Sequence, residues 1–119
     1  MTYPLHTEIS GTGDPLVLIH GMGSASTAWK PIRSQLNKDF TVITIDLPGH
    51  GKTPYSKGQP MDPHTLGTYV LDQLSTEGIH RFHLAGNSLG GWVAMEMASY
   101  TPARVRSLVG IAPAGLWLN

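Results

Sequence analysis

The fold is decided by residues 81–100, RFHLAGNSLGGWVAMEMASY. The apolar run Arg81–Gly86 predicts a buried strand, and the run Leu89–Tyr100 predicts a helix that stops before Pro102. Between them lies Ser88 in a G-x-S-x-G pattern, and a strand, a sharp turn and a helix are the context in which this pattern marks a nucleophile. The sequence therefore predicts that Ser88 stands above the sheet edge as a catalytic nucleophile.

The glycines beside this serine follow from the tightness of the turn. A nucleophile at its tip has a strained backbone, and side chains two positions before and after it would collide, which accounts for Gly86 and Gly90. The following helix points its free N–H groups back at the turn, so we expect the N–H of Leu89 to bind a developing oxyanion. The alternative is a glycine-rich turn with an incidental serine, and the strand–turn–helix context favours catalysis.

A second glycine-rich loop, HGMGSAS, begins at the end of the predicted strand Pro15–His20. The carboxyl ends of parallel strands share one edge of a sheet, so this loop and Ser88 are expected to converge. In this interpretation the chain turns sharply at Gly21, His20 braces the loop by hydrogen bonding, and the N–H of Met22 supplies the second oxyanion donor.

The same loop supports a rival interpretation as a dinucleotide-binding fingerprint, G-x-G-x-x-G, with Ser26 in place of the third glycine. Asp46 lies 20 residues further on, at the end of the next predicted strand, where a ribose-binding acid would be expected. Two points count against this interpretation. The third glycine normally permits close packing of helix and strand, which Ser26 weakens, and a dinucleotide site gives Ser88 no role. A saturable change in melting temperature on titration with NAD or NADP would distinguish a dinucleotide site from an oxyanion loop.

The remaining segments alternate between strands and helices, which predicts an α/β fold with a mostly parallel sheet and helices on both faces. The further strands are expected at Leu5–Ser10, Phe40–Asp46 and Val105–Ala112, and the further helices at Thr27–Asn37 and Asp62–Glu77. The first of these strands alternates polar and apolar residues, as expected of a half-exposed antiparallel edge. No linker or repeat divides residues 1–119, which we expect to belong to one domain.

Composition excludes several classes of function. Apolar residues make up 40% and charged residues 13% of the 119-residue chain, whose net charge is zero, so no basic face is expected to bind nucleic acid or an anionic membrane. The sequence contains no cysteine, and His80 and His83 are spaced to point to opposite faces of a strand, so no metal site is expected. The first residues resemble no secretory signal, and we expect a cytoplasmic location.

Three motifs in this order resemble the α/β-hydrolase superfamily: HGMGSAS at 20–26, DLPGHGKT at 46–53 and GNSLGG at 86–91. The resemblance implies hydrolysis of a small-molecule carboxylic ester, or a related acyl or C–C bond, through an acyl-enzyme on Ser88 and without a cofactor. Met22 and Leu89 would then form the oxyanion hole. The likeness runs from about Leu5 through about the sixth strand of the family, and PAGLW at 113–117 resembles the stretch before the family's variable cap. The chain is thus expected to be the N-terminal part of one domain, without the cap and the C-terminal strands.

The sequence departs from the family in its catalytic base. Family members take a histidine and its orienting acid from positions after the nucleophile, whereas the six histidines here all precede Ser88 and the one later acid is Glu96. His20 and His50 are candidate stand-in bases, although shaping their loops is the role we favour. We therefore expect the chain alone to be inactive, as a fragment or as half of a split protein.

A second class of function follows from the last predicted strand. Without a following strand, Val105–Ala112 is a strongly apolar open edge, and such edges favour self-association. The chain would then be a non-catalytic interaction module or a remnant. A third class is a catalytically silent homologue used for binding. For the substrate pocket, Met22, Trp29 and Leu89 suggest an apolar lining, although core packing explains Trp29 equally well.

Overall fold

A computed structural model of the chain describes residues 3–112. The predicted resemblance of residues 113–117 to the stretch before a cap lies outside these residues. The strands are β1 (Thr7–Gly11), β2 (Asp14–Ile19), β3 (Phe40–Ile45), β4 (Phe82–Asn87) and β5 (Val105–Ile111). The helices are a short 3-10 helix (Ser26–Trp29), α1 (Lys30–Leu36), α2 (Pro63–Thr76) and α3 (Leu89–Tyr100).

The strands form one five-stranded sheet in the order β1-β3-β2-β4-β5. Strand β1 pairs antiparallel with β3, and all other pairs are parallel. The predicted α/β class with a mostly parallel sheet is therefore confirmed, as is the antiparallel edge strand at the start of the chain. That residues 1–119 all belong to one domain stays a prediction.

Helices lie on both faces of the sheet because successive strand side chains point to opposite sides. In β2, Val17 and Ile19 belong to the larger cluster, which α2 and α3 cover, whereas Leu18 packs with Trp29 in the smaller cluster beneath the 3-10 helix. All four side chains are buried. Because β2 pairs parallel with both β3 and β4, the carboxyl ends of these three strands lie along the same side of the sheet. The loops that follow them carry the candidate site.

The first helical segment differs from its prediction as one helix over Thr27–Asn37. A 3-10 helix comes first, in which the Lys30 N–H donates to the Thr27 carbonyl, and α1 begins at Lys30. The reason is Pro31, which has no N–H to donate to Thr27 and so cannot continue an α-helix that starts there. Pro31 does lie in a first turn, as expected, but in the first turn of the later helix.

Helix α2 shows the predicted end signals. The Asp62 side chain accepts a hydrogen bond from the Thr65 N–H at 3.0 Å, Pro63 opens the helix, and Gly78 follows its end with a φ of 77°. Among residues 3–112, no helix combines the length and the apolar character that a bilayer crossing requires.

Strand β5 lies at the open edge of the described sheet and pairs with β4 on one side. Its large apolar side chains are well exposed: Leu108 by 38%, Val109 by 56% and Ile111 by 46%. Val109 and Ile111 also line an apolar groove of about 430 Å³ on the face of the sheet that α1 covers only in part.

Candidate functional site

Ser88 sits between the end of β4 and the first residue of α3. Its φ of 54° and ψ of −116° are unusual for a residue with a side chain, and the side chain is exposed. The N–H of Ser88 donates to the Ile111 carbonyl at 3.0 Å, and its carbonyl accepts from Gly91 and Trp92 at 3.0 and 3.2 Å. The strained backbone is thus held from both sides, by β5 and by the first turn of α3.

The two glycines of the motif are required by backbone contacts. A Cβ on Gly86 would overlap the Gly90 carbonyl, and a Cβ on Gly90 would overlap the carbonyl oxygens of Ile19 and His20 at the end of β2. Both obstacles are main chain, so neither can move aside as a flexible side chain would. The turn therefore packs so closely on its neighbours that no side chain fits at either position.

The second glycine-rich loop, residues 20–26, lies directly against the serine. A Cβ built on Gly21 would come within 3.2 Å of the Ser88 Cβ and 3.8 Å of its Oγ. The loop then closes a tight turn, in which the Ser24 N–H donates to the Gly21 carbonyl at 3.1 Å and Gly23 has a φ of 76°. The two glycine-rich segments, 65 residues apart at their glycines 21 and 86, are thus neighbours.

Two backbone N–H groups flank this point of contact. Within residues 3–112, neither the N–H of Met22 nor that of Leu89 has a protein acceptor, and Leu89 as the first residue of α3 has none within its helix. A cleft of about 190 Å³ is lined in part by Gly21 and Asn87, the residues that precede Met22 and Ser88 in the chain. The residues that line the cleft are His20, Gly21, Ser24, Ala28, Trp29, Asn87 and Ile111.

The expected apolar lining by Met22, Trp29 and Leu89 is only partly right. Trp29 lines the cleft. The Met22 side chain is 61% exposed, and Leu89 packs into the larger core cluster beneath the sheet. The reason is that the first residue of α3 directs its side chain into the core while its N–H remains at the helix end.

His20 is buried and fixed at both ring nitrogens. Nδ1 lies 2.7 Å from the Gly21 carbonyl, to which it donates, and Nε2 accepts from the Leu47 N–H at 3.0 Å. These partners define a neutral ring. Burial lowers the pKa of His20, the Gly21 carbonyl raises it, His50 lowers it and Asp46 raises it, with a net pKa below the ordinary value.

His50 is the second buried histidine, and its ring centroid lies 4.9 Å from that of His20. Its Nε2 accepts from the Gly23 N–H at 2.9 Å, and its Nδ1 donates to the Pro48 carbonyl at 3.0 Å. All four nitrogens of the two rings are therefore occupied by backbone groups. Neither histidine has a nitrogen left to take a proton from Ser88, which argues against both stand-in bases.

Asp46 holds the two loops together instead of facing a ligand. Its carboxylate is buried and accepts from the Ser26 N–H at 2.7 Å and the Lys52 N–H at 3.0 Å. Burial raises the pKa of this carboxyl, but the backbone hydrogen bonds from Lys52 and Ser26 outweigh it, so the pKa lies below its ordinary value. Asp46 is buried and both of its oxygens accept backbone hydrogen bonds, so its carboxylate does not face a ligand, and the dinucleotide interpretation loses its acid.

Sequence reasoning missed this role of Asp46. The signal in the sequence was the glycine at position 51. In the structure its φ is 52°, and a Cβ there would overlap the Asp46 carboxylate. Of the other candidates, His80 is exposed, His83 contacts the Ser107 hydroxyl at 2.6 Å, and Glu96 lies on α3. Among residues 3–112, no three His, Asp or Glu side chains are grouped as a metal ion would need.

The chain is similar to known proteins in sequence and in fold. A sequence model described as "Alpha/beta hydrolase family" matches residues 16–118. The chain is 41% identical over 107 residues to a pimeloyl-(acyl-carrier protein) methyl ester esterase of Legionella pneumophila strain Corby, covering 90% of this chain and 41% of that protein. It is 42% identical over 110 residues to the dihydrolipoyllysine-residue acetyltransferase component of the acetoin cleaving system of Pseudomonas putida, covering 92% and 30%.

Solved structures show the same similarity. A hydrolase from Pseudomonas aeruginosa PA01 superposes with a TM-score of 0.89 at 30% identity, covering 97% of this chain and 43% of that one. The chain thus spans less than half the length of the relatives it matches.

A first prediction concerns Gly90. Gly90→Ala should lower the free energy of unfolding by about 3 kcal/mol, the upper end of the usual cost of overpacking, because the new Cβ would overlap main-chain carbonyls that cannot move independently. The control is Gly58→Ala, where nothing lies within 4 Å and only the positive φ of 82° is costly, at about 1–2 kcal/mol. Urea unfolding measures both, and equal losses would contradict the close approach.

A second prediction concerns His20. Below its ordinary pKa of 6.5, the unfolded chain protonates this histidine while the folded chain, with its lowered pKa, does not. Stability should therefore fall with decreasing pH below about 6.5, by at most about 1.4 kcal/mol per pH unit from this residue. Urea unfolding at about pH 7.5 and pH 5.5 should show a smaller loss for His20→Gln than for the wild type, and identical losses would refute the neutral buried ring.

Proposed function

This chain belongs to the alpha/beta hydrolase family, and from that premise we propose that it carries the nucleophile and the oxyanion hole of a serine hydrolase. Ser88 is the nucleophile, and the N–H groups of Met22 and Leu89 bind the oxyanion. The substrate is a small carboxylic ester, a choice supported by the esterase among the relatives and by the partly apolar cleft beside the serine.

One observation carries this proposal: the exposed Ser88 is held at a φ of 54° with Gly21 of the second loop packed against it. Backbone strain at an exposed polar residue is retained where the surrounding structure enforces it, and such places are commonly functional. A merely structural turn would need neither the strain at Ser88 nor two glycines forced by main-chain contacts.

The proposed reaction follows from these positions. The Ser88 Oγ forms a bond to the ester carbonyl carbon, and the carbonyl oxygen becomes an oxyanion bound by the N–H groups of Met22 and Leu89. Collapse of the tetrahedral intermediate breaks the bond between the carbonyl carbon and the alcohol oxygen, which takes up the proton that Ser88 lost. Water then hydrolyses the acyl-enzyme to the free acid and regenerates the Ser88 hydroxyl. The hydroxyl proton needs an acceptor, because a serine hydroxyl is a weak nucleophile at neutral pH.

That acceptor is not supplied by the histidines near the site. No histidine follows Ser88 in the 119 residues, and the ring nitrogens of His20 and His50 are engaged by the backbone. We therefore propose that this chain alone reacts slowly and that a histidine-like base restores the reaction. Oxyanion binding alone retains about 10³–10⁴ of rate enhancement over water in a triad enzyme.

We propose self-association as a second, non-catalytic role. Within residues 3–112, strand β5 pairs only with β4, and Leu108, Val109 and Ile111 are exposed on it. Two copies related by a twofold axis would pair their β5 edges antiparallel and extend one sheet through both chains, which removes both edges from water.

The third prediction tests the nucleophile by chemical rescue. With a fluorophosphonate, the Ser88 Oγ should form a bond to phosphorus and release fluoride slowly, and added imidazole should raise that rate at least about tenfold by serving as the missing base. Peptide mass spectrometry locates the adduct and follows its rate.

Ser88→Ala should remove the adduct with and without imidazole. The matched control is Ser99→Ala, an exposed serine near the end of the helix that follows Ser88, which should react like the wild type. Undiminished labelling of the Ser88→Ala chain would refute the assignment of the nucleophile.

The fourth prediction tests the edge. Light scattering should show a concentration-dependent dimer, and Val109→Lys should shift it to monomer because a charge on an edge strand opposes pairing. Ile9→Lys is the matched control, since Ile9 is 45% exposed on β1 at the opposite edge, and it should leave the dimer intact. A wild-type chain that stays monomeric at high concentration would rule out the association.

A further inference from the structure

We propose that His50 is a positioning residue for the turn at residues 21–24, called here the oxyanion turn because it carries the Met22 N–H. His50 acts through the Gly23 N–H, and this inference rests on the function proposed above. His50 lies in the loop after β3, 27 residues along the chain from Gly23, and its Nε2 accepts the Gly23 N–H at 2.9 Å. It does not touch the expected position of the substrate oxygen. Its role is to fix the peptide that follows Met22.

The oxyanion turn is held one peptide at a time. In the peptide between Gly21 and Met22, the carbonyl accepts from the His20 ring at 2.7 Å and from the Ser24 N–H at 3.1 Å. Because C=O and N–H point in opposite directions in a trans peptide, these two contacts turn the Met22 N–H away from His20. The next peptide, between Met22 and Gly23, is held by His50 alone among the side chains of residues 3–112.

The ring of His50 is itself held in the state that this contact needs. Nδ1 donates to the Pro48 carbonyl at 3.0 Å, so the proton sits on Nδ1 and Nε2 is the acceptor. The ring is 8% exposed and packs on His20 at a centroid distance of 4.9 Å. An acceptor this constrained fixes the direction of the Gly23 N–H and, through it, the two dihedral angles at Met22.

Gly23 makes this restraint necessary. Its φ of 76° lies in a region that glycine enters freely, and a Cβ at this position would meet nothing within 4 Å. Neither packing nor a side chain therefore limits the turn at Gly23. The hydrogen bond to His50 replaces that missing restraint, which couples the loop after β3 to the oxyanion donor.

Two variants separate positioning from packing. His50→Phe keeps a ring of similar volume and removes the acceptor, whereas His50→Gln places an oxygen within reach of the Gly23 N–H. In fluorophosphonate labelling of Ser88 with imidazole present, His50→Phe should lower the maximal rate constant about tenfold and leave the half-saturating probe concentration unchanged. Complete loss of one oxyanion donor costs about 10²–10³, and a displaced donor costs less.

His50→Gln should recover the rate to within about threefold of the wild type. His80→Phe, at an exposed histidine before β4, is the matched control and should react like the wild type. A His50→Phe chain with an unchanged rate would overturn the proposal, and so would a loss that appears only in the half-saturating concentration.

Amide hydrogen exchange of Gly23 in the wild-type chain tests the contact independently of reactivity and of the folding of any variant. Protection of the Gly23 amide is expected, and exchange at the rate of an unstructured peptide would overturn the proposal. If the wild type is not labelled at Ser88 while Gly23 is protected, the proposed function fails and the His50 contact stands. If Ser88 is labelled and Gly23 is unprotected, the reverse holds.

Discussion

The backbone of Gly90 lies against the carbonyl oxygens of Ile19 and His20, and the geometry of the site depends on this contact. It brings the first turn of α3 onto the end of β2, closer than any side chain would allow. Since Ser88 precedes that turn and Gly21 follows that strand, the serine and the second glycine loop are brought together by the same approach. Gly86 permits it from the other side, by admitting the Gly90 carbonyl next to β4.

A layer of buried polar groups then fixes the loops around this contact. Asp46 joins the segment at Ser26 to the segment at Lys52, while His20 and His50 join the oxyanion turn to the loop after β3. Burying such groups is costly unless they are hydrogen-bonded, and each of these three has partners at every side-chain nitrogen or oxygen. The site is thus built on a rigid frame, which preorganised donors require.

The parts of this arrangement that are local in the chain could be predicted from the sequence. The strand–turn–helix around Ser88, the start of α2 at Asp62 and the antiparallel edge strand all rest on signals within a few residues. The continuous helix over Thr27–Asn37 was wrong, because Pro31 allows an α-helix to begin at Lys30 but not to pass through from Thr27.

The parts that depend on strand order could not be predicted. Asp46 accepts a hydrogen bond from the Ser26 N–H, 20 residues away in the chain. His50 accepts one from the Gly23 N–H, 27 residues away. Both contacts form because β2 and β3 are neighbours and the loops after them leave the same side of the sheet. From sequence alone Asp46 fits a ribose-binding acid equally well. The hydrogen bonds that occupy the ring nitrogens of His20 and His50 likewise form only in the folded loops, and no spacing along the chain predicts them.

A crystal structure of the chain after fluorophosphonate labelling with imidazole would show whether Ser88 and the N–H groups of Met22 and Leu89 form one reaction centre. Phosphorus bonded to the Ser88 Oγ is expected, with the phosphoryl oxygen about 2.7–3.1 Å from both N–H nitrogens. An adduct on another residue, or a phosphoryl oxygen turned to solvent away from both groups, would contradict a single reaction centre.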